Sequence, residues 1–497
     1  MLLMNSNASF FVTIDVVRLS RNLAFSRFYE VYRIASGYTP TSHHSIKEVE
    51  NRLMSFPALH KHCLAILAAM ITFSSTFDAC SAETSQSVWY QWRGPDQNRT
   101  ATGDPYPRKW GESKDGEKQN IDWKLKLPGG GASTPVIASD TAFLTFAADG
   151  KNHLASVGLA DGTFRWQVEL GDDRGGKHRK GGGSNPSAIT DGQQVFAYFR
   201  SGDLACVDVK GNVQWQVNLQ DRFGEDTLWW DLGTSPILTD DAVVVAVMQT
   251  GPSYLVAFNK VSGELLWKVD RITDAPEEAA QSYATPLNVV IDNQPAIAVF
   301  GADCLTLHRA GDGTEFARLG GFNPDGEKFF RSIASPTAKD HLIVCPYSRG
   351  ETLTTVDMNH LADGKGDAAI VWKSDQLGSD VPTPALDQQR VYLVSDGKTS
   401  RGLTTCLDLQ TGETIWQWQL PKSRHSFSSS PLVADNHLYV TSENGTTFVI
   451  GPLDQEQPEL VATNEIDDDE PFTVASLVPI DESLLLRSKT HLYRISE

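Results

Sequence analysis

The sequence is poor in cysteine. It has six in 497 residues and no C-x-x-C or C-x-x-C-H pair. That excludes a disulfide scaffold, a zinc ribbon, a thioredoxin-type motif and an attached c-type haem. Basic residues are also short, at 43 Lys and Arg against 62 Asp and Glu, for a formal charge of −19. Neutralising phosphates needs a cationic surplus, so nucleic acid is excluded as the main partner. An anionic membrane surface is disfavoured on the same ground. No apolar run reaches the roughly 20 residues of a membrane-spanning helix. No Ser–His–Asp order, H-E-x-x-H or paired-carboxylate spacing stands out, and no metal site is read. What remains is a globular composition, 40% hydrophobic and 21% charged.

Cys63 to Phe77 is an apolar run of 15 residues, preceded by His60-Lys61-His62 and followed by the small residues of Cys80-Ser81-Ala82. This is the three-part pattern of a secretory signal. Met54 makes a normal start for it. The expectation is a signal peptide over 54–82, with 1–53 a mis-assigned or disordered extension or an unusually long leader. A lipoprotein signal at Cys80 is the weaker reading, because Phe77-Asp78-Ala79 is a poor lead-in. Export places the protein in the periplasm or outside the cell.

From there on the chain repeats. A Ser, Thr or Asn beside Pro opens a short apolar strand at Ser133-Thr134-Pro135, Ser184-Asn185-Pro186, Thr234-Ser235-Pro236, Ala284-Thr285-Pro286, Ala334-Ser335-Pro336, Pro382-Thr383-Pro384 and Ser429-Ser430-Pro431. Ala475-Ser476-Leu477 is a degenerate eighth copy. The intervals run from 51 down to 46 residues. Each repeat then carries a turn and a Trp. Asp408-Leu-Gln-Thr411-Gly412-Glu413-Thr-Ile-Trp416 is the cleanest copy, and Asn259 to Trp267, with Gly263, is the next. Asp161-Gly162 to Trp166 and Gly211 to Trp215 keep the spacing. The fourth copy has Ala317 at the Trp position, and in the fifth Trp372 follows an insertion. Asp or Asn bonds its own backbone to start the turn, and Gly supplies φ > 0. The Trp then fills the wedge between sheets. Substitution of Gly412 is expected to act through the turn conformation.

A period of this length, holding about four strands, is a propeller blade. The fold expected is all-β: a single eight-bladed β-propeller over 120–497, with 83–119 as a lead-in. Asn120-Ile121-Asp122-Trp123-Lys124 reads as an outer strand without its blade, and the last repeat lacks such a strand. Pairing the two closes the ring and removes exposed edges.

The Asp-x-x-Thr-Gly-x-x-Trp turn resembles the tryptophan-docking motif of the PQQ-like propeller superfamily. That superfamily includes the quinoprotein alcohol dehydrogenases and the outer-membrane assembly factor BamB. Trp89-Tyr90-Gln91-Trp92-Arg93-Gly94-Pro95 and Leu125 to Gly130 look like the start of secreted bacterial PQQ-like repeat proteins of undefined role. For the quinoprotein enzymes the resemblance implies a disulfide between adjacent cysteines, Glu and Asn ligands to calcium, an Asp base and a Trp beneath the quinone. Here no two cysteines are adjacent. Cys206 and Cys406 fall at one position in repeats two and six, on opposite sides of the ring, and are expected not to bond.

In a propeller the interblade loops gather on one face around the channel mouth. Gly171 to Gly183 holds six Gly with Arg174, Lys177, His178, Arg179 and Lys180, and reads as a solvated loop or an anion contact. Glu465 to Glu470 reads as a solvated acidic run that attracts it. Trp229, Trp230 and Asp231, with Tyr283, Arg331 and the Arg424-His425 pair, are the candidate ligand-binding residues. The opposite face is expected to carry short turns with little to recognise. Two function classes stand. One is an exported, monomeric, non-catalytic platform for a protein or glycan, with no cofactor. The other is an enzyme or cofactor binder on the loop face, with PQQ and calcium as the named case.

Overall fold

The computed structural model describes residues 88–497, except 102, 104 and 113–117. The expected signal and upstream extension, 1–82, lie outside the described residues. Ser85–Glu497 forms one compact unit.

Eight four-stranded antiparallel sheets form the propeller. Blades one to seven span 136–172, 189–218, 237–270, 287–319, 337–374, 385–419 and 432–464. Blade eight takes Val478–Ile480, Ser483–Arg487 and His491–Ser496 from the end of the chain and Ile121–Lys126 from near its start. His491 faces Lys126 and Arg494 faces Trp123 in that closing ladder. The strand missing from the last repeat is therefore the one that 120–124 was expected to supply.

Burial explains the strand sequences. Ala242–Val247 is apolar on both faces because neighbouring blades cover both. The outer strand Leu265–Asp270 alternates half-buried and exposed positions, since only one of its faces has a neighbour. The apolar clusters lie between blades, such as Ala298 and Leu307 of blade four against Ile343 and Val356 of blade five.

Five tryptophans dock on five glycines of the next blade. The rings of Trp123, Trp166, Trp215, Trp267 and Trp372 cover Gly162, Gly211, Gly263, Gly313 and Gly412, all at positive φ. Four of the indoles also donate to a carbonyl of that turn at 2.8–3.0 Å. Asp161 and Asp408 accept the turn amides. Trp416 differs. The next turn has no Gly, and the indole is buried beside Tyr392 and Leu453. Cys206 and Cys406 face Trp215 and Trp416 in their ladders and are free, buried thiols.

The Ser/Thr-Pro motifs make a closed ring around the axis. The Thr134 amide donates to Ser187 Oγ, Ser187 to Ser235, and so on through Thr285, Ser335, Thr383, Ser430 and Ser476, whose amide returns to Thr134. All eight bonds measure 2.9–3.1 Å. Each buried amide needs an acceptor where no ladder partner exists, and the next blade's hydroxyl is the one in reach. This corrects the second repeat. Its ring residue is Ser187, followed by Ala188, and not the Asn185-Pro186 pair.

Below the ring the channel is filled from the turn face by 89–101. Trp89 pairs with Ile137, and Thr100–Ala101 adds a parallel strand to Leu432–Ala434. Arg93 reaches the carbonyls of Pro286 and Pro336 at 2.7 and 2.9 Å. Arg99 reaches those of Pro431 and Leu477. The turn face is thus not limited to short turns, because the lead-in occupies its centre. Among the described residues no helix is long and apolar enough to cross a membrane.

Candidate functional site

The loop face carries the interblade loops and the turns between second and third strands. Gly171–Gly183 lies across it. The Lys177 and His178 amides donate to Asp231 at 2.6 and 2.9 Å, and Arg200 stands 3.6 Å from the same carboxylate. Farther along, Lys180 pairs with Glu443 of blade seven, which also accepts from Ser428 at 2.6 Å. The basic loop therefore joins the loop before blade three to blade seven. These contacts with Asp231 and Glu443, rather than the expected attraction to 465–470, are what the loop's position displays.

That acidic run is not simply solvated either. The Asp468 side chain, 1% exposed, accepts from Ser488, Thr490 and Tyr493, with His491 Nδ1 at 3.2 Å. Burial alone would raise its carboxyl. Hydrogen bonds from Ser488, the Glu470 amide and Thr490, with His491 beside it, hold it below the usual range.

Trp229 and Trp230 are 43% and 42% exposed, so neither is packed away over the channel. Both are held rigidly. The Trp229 amide donates to Gln281 at 2.8 Å and the Trp230 amide to the Tyr283 hydroxyl at 3.2 Å. Burial pushes the Tyr283 hydroxyl up, so it stays protonated and donates to Gln281. The Trp230 indole donates to Glu278 at 2.7 Å. Glu278 is only 2% exposed and also faces Arg349 at 3.2 Å and Arg331 at 3.7 Å. Arg331 is itself committed, through two bonds of 2.7 and 2.8 Å to Asp380. Phe329, half exposed, lies 6.5 Å from Trp229.

The structure thus links Trp229, Trp230, Tyr283 and Arg331 through Gln281 and Glu278. Asp231 sits beside them, tied to the glycine-rich loop. His425 stands apart, half-buried, with its amide on Ser423 and its ring near Arg424. Sequence reasoning missed Glu278, Asp380 and Phe329. Phe329-Phe330 precedes Ser335 by the same interval as Trp229-Trp230 precedes Ser235, so one signal was there. Nothing in the sequence separates buried Glu278 from its exposed neighbour Glu277.

Asp396, beside Asp380, accepts the Asp380 amide at 2.9 Å. Burial and then the Asp380 charge push its carboxyl from 3.8 up to about 7. A carboxyl raised in the folded state holds a proton that the unfolded chain releases. Its cost therefore grows as pH rises through that window and is complete above it. Asp396→Asn keeps an acceptor and is expected to add about 1–3 kcal/mol at about pH 8. Urea midpoints should then depend less on pH between about 4 and 7. An unchanged slope would assign the titration to another group.

Tryptophan-docked blades and a ring closed by the N-terminal strand define the class, an eight-bladed PQQ-type propeller. The family model described as outer membrane protein assembly factor BamB matches residues 113–274, 231–417 and 349–460, and the chain belongs to that family. Solved structures share the fold. BamB from Moraxella catarrhalis is 16% identical with a TM-score of 0.53, over 76% of this chain and 99% of that one. A europium-containing methanol dehydrogenase is 10% identical with a TM-score of 0.60, over 82% and 91%. The computationally designed Ika8 protein is 12% identical with a TM-score of 0.52, over 76% and 99%. At such identities the likeness speaks for fold alone. No curated protein sequence matches.

The disulfide of adjacent cysteines that the quinoprotein resemblance implies is not formed by Cys206, Cys304, Cys345 or Cys406. The four described cysteines are single buried thiols. Among the described residues no three His, Cys, Asp or Glu side chains converge as a metal site.

Proposed function

We propose that this chain is an exported, monomeric, non-catalytic platform that binds a protein partner through Trp229, Trp230 and Phe329. The observation that carries the reading is three exposed aromatic side chains beside a paired charge network, with the backbone amides of Trp229 and Trp230 and the Trp230 indole N–H all hydrogen-bonded. Preordered aromatics rimmed by Arg are what protein interfaces use as anchors, because little rotamer entropy is lost on docking. The family's description as an outer membrane protein assembly factor supports a partner in the cell envelope.

A photo-crosslinker at Phe329 is expected to capture one envelope protein, and one at Val261, exposed on the turn face, is not. Trp229→Ala with Phe329→Ala should lower affinity for that protein about 30-fold or more, as hot-spot truncation does. The thermal midpoint should hardly move, since both side chains are largely outside the core. Capture of the same protein at Val261 as strongly as at Phe329, or binding of glycans in place of protein, would overturn the reading.

A further inference from the structure

The third residue after each ring hydroxyl turns its amide and carbonyl toward the axis on the turn face. The lead-in uses these groups blade by blade. Trp89 exchanges both bonds with Ile137, and Tyr90 accepts from Thr190. The Gln97 side chain takes the amide and carbonyl of Asn288 at 3.0 Å each. Asn98 and Thr100 take those of Leu386, and Arg99 accepts from Val433. In blade three the Leu238 carbonyl accepts from Asn288, and in blade eight the position is Pro479, which has no amide to offer.

At this position the lead-in bonds neither blade three nor blade five, and Arg93 meets blade five only at Pro336. The segment steps from blade four at Gln97 to blade six at Asn98. Among the described residues no hydrogen bond reaches the amide or carbonyl of Ala338, the equivalent position. A cleft of about 390 Å³ lies there, between Gln97 and Asn288 on one side and Ala338 and Lys339 on the other. Val290, 62% exposed, lies at its edge. Asp96 and Asp340 outnumber Lys339 in its lining.

We propose that the inner edge of blade five is a second binding site, which takes an extended peptide segment of another protein by pairing its main chain with Ala338. The argument is by equivalence. Main-chain or amide groups of the lead-in fill this position in the neighbouring blades four and six, so a peptide amide is the group that fits the open one. The cleft is in the size range of ligand sites. Its acidic excess selects a segment carrying Lys or Arg, with small apolar side chains against Val290. The site lies on the face opposite Trp229 and Phe329 and stands independently of the partner proposed there.

Ala338→Pro tests this without disturbing the ladder, because Pro479 already occupies the same register in blade eight. The probe is a fluorescein-labelled hexapeptide of alternating lysine and valine, followed by anisotropy against the whole protein. Binding is expected, with a loss of about tenfold or more in Ala338→Pro. A twin peptide N-methylated at alternate amides should not bind. In the wild-type protein, hydrogen exchange at the Ala338 amide should slow when peptide is added. No binding, equal binding by Ala338→Pro or by the methylated twin, or unchanged exchange at Ala338 would each overturn the proposal. A glutamate–valine peptide binding as well as the lysine one would overturn the charge preference.

Discussion

Arg99→Ala is expected to lower stability by about 3–5 kcal/mol, although the residue lies outside the repeats. Its side chain is 0% exposed. It donates to the Pro431, Trp92 and Leu477 carbonyls at 3.3, 2.9 and 2.6 Å, and its guanidinium lies 5.5 Å from the Trp89 ring centroid. Truncation leaves three buried acceptors unpaired and opens a cavity, at about 1–3 kcal/mol each, and removing a desolvated charge offsets part of that sum. Burial holds the guanidinium down to about 9, so it is still charged at neutral pH. No carboxylate is among its hydrogen-bond partners, so the carbonyls and the Trp89 ring compensate its charge. Arg99→Lys should restore little, because one ammonium cannot reproduce the planar fork that spans two blades. Denaturant midpoints with unchanged slopes would report this loss. A shift below about 1 kcal/mol would mean that the lead-in merely rests on the channel.

Gly412→Ala is expected to cost about 2–4 kcal/mol, and Gly364→Ala about 1–2. The two glycines have nearly the same backbone, φ +72 and +75, so the left-handed cost of a Cβ is common to both. They differ in surroundings. A Cβ at Gly412 would stand 2.6 Å from the Trp372 ring, while one at Gly364 meets nothing within 4 Å. The difference between the variants therefore measures the docking contact by itself, at about 1–3 kcal/mol for an overpacked site. Thermal or urea melts of the pair decide it. Equal losses would show that Trp372 moves aside freely. The sequence expectation assigned the Gly412 effect to the turn, and the ring overhead adds the packing part.

The docking turns were readable because their chemistry is local. Asp408, Gly412 and Trp416 lie within nine residues, and the interval from Gly to Trp recurs at 162–166, 211–215 and 263–267. The candidate site was readable only in part. Adjacent aromatics in an interblade loop marked Trp229 and Trp230. The carboxylate that fixes them, Glu278, comes from the next loop, 48 residues away, and Arg331 turned out to be bound to Asp380 rather than open to a ligand. His425 shares the sequence position of these residues but not their network, because its loop is anchored elsewhere.

By itself the sequence determined the number of blades, the order of strands in each, the tryptophan wedges and the strand that closes the ring. These follow from burial patterns and turn residues that repeat along the chain, so each copy corroborates the others. The tertiary structure alone decided what fills the axis and what spans the mouth. Ser187 entered the hydroxyl ring in place of Asn185, Arg99 bonded a carbonyl 378 residues away, and Lys180 reached Glu443 across 263 residues. The physical reason is closure. Once eight similar blades form a ring, residues from unrelated places in the chain meet at its centre. Which of them pair is set by distance and by the need to satisfy buried polar groups, and no local pattern records that.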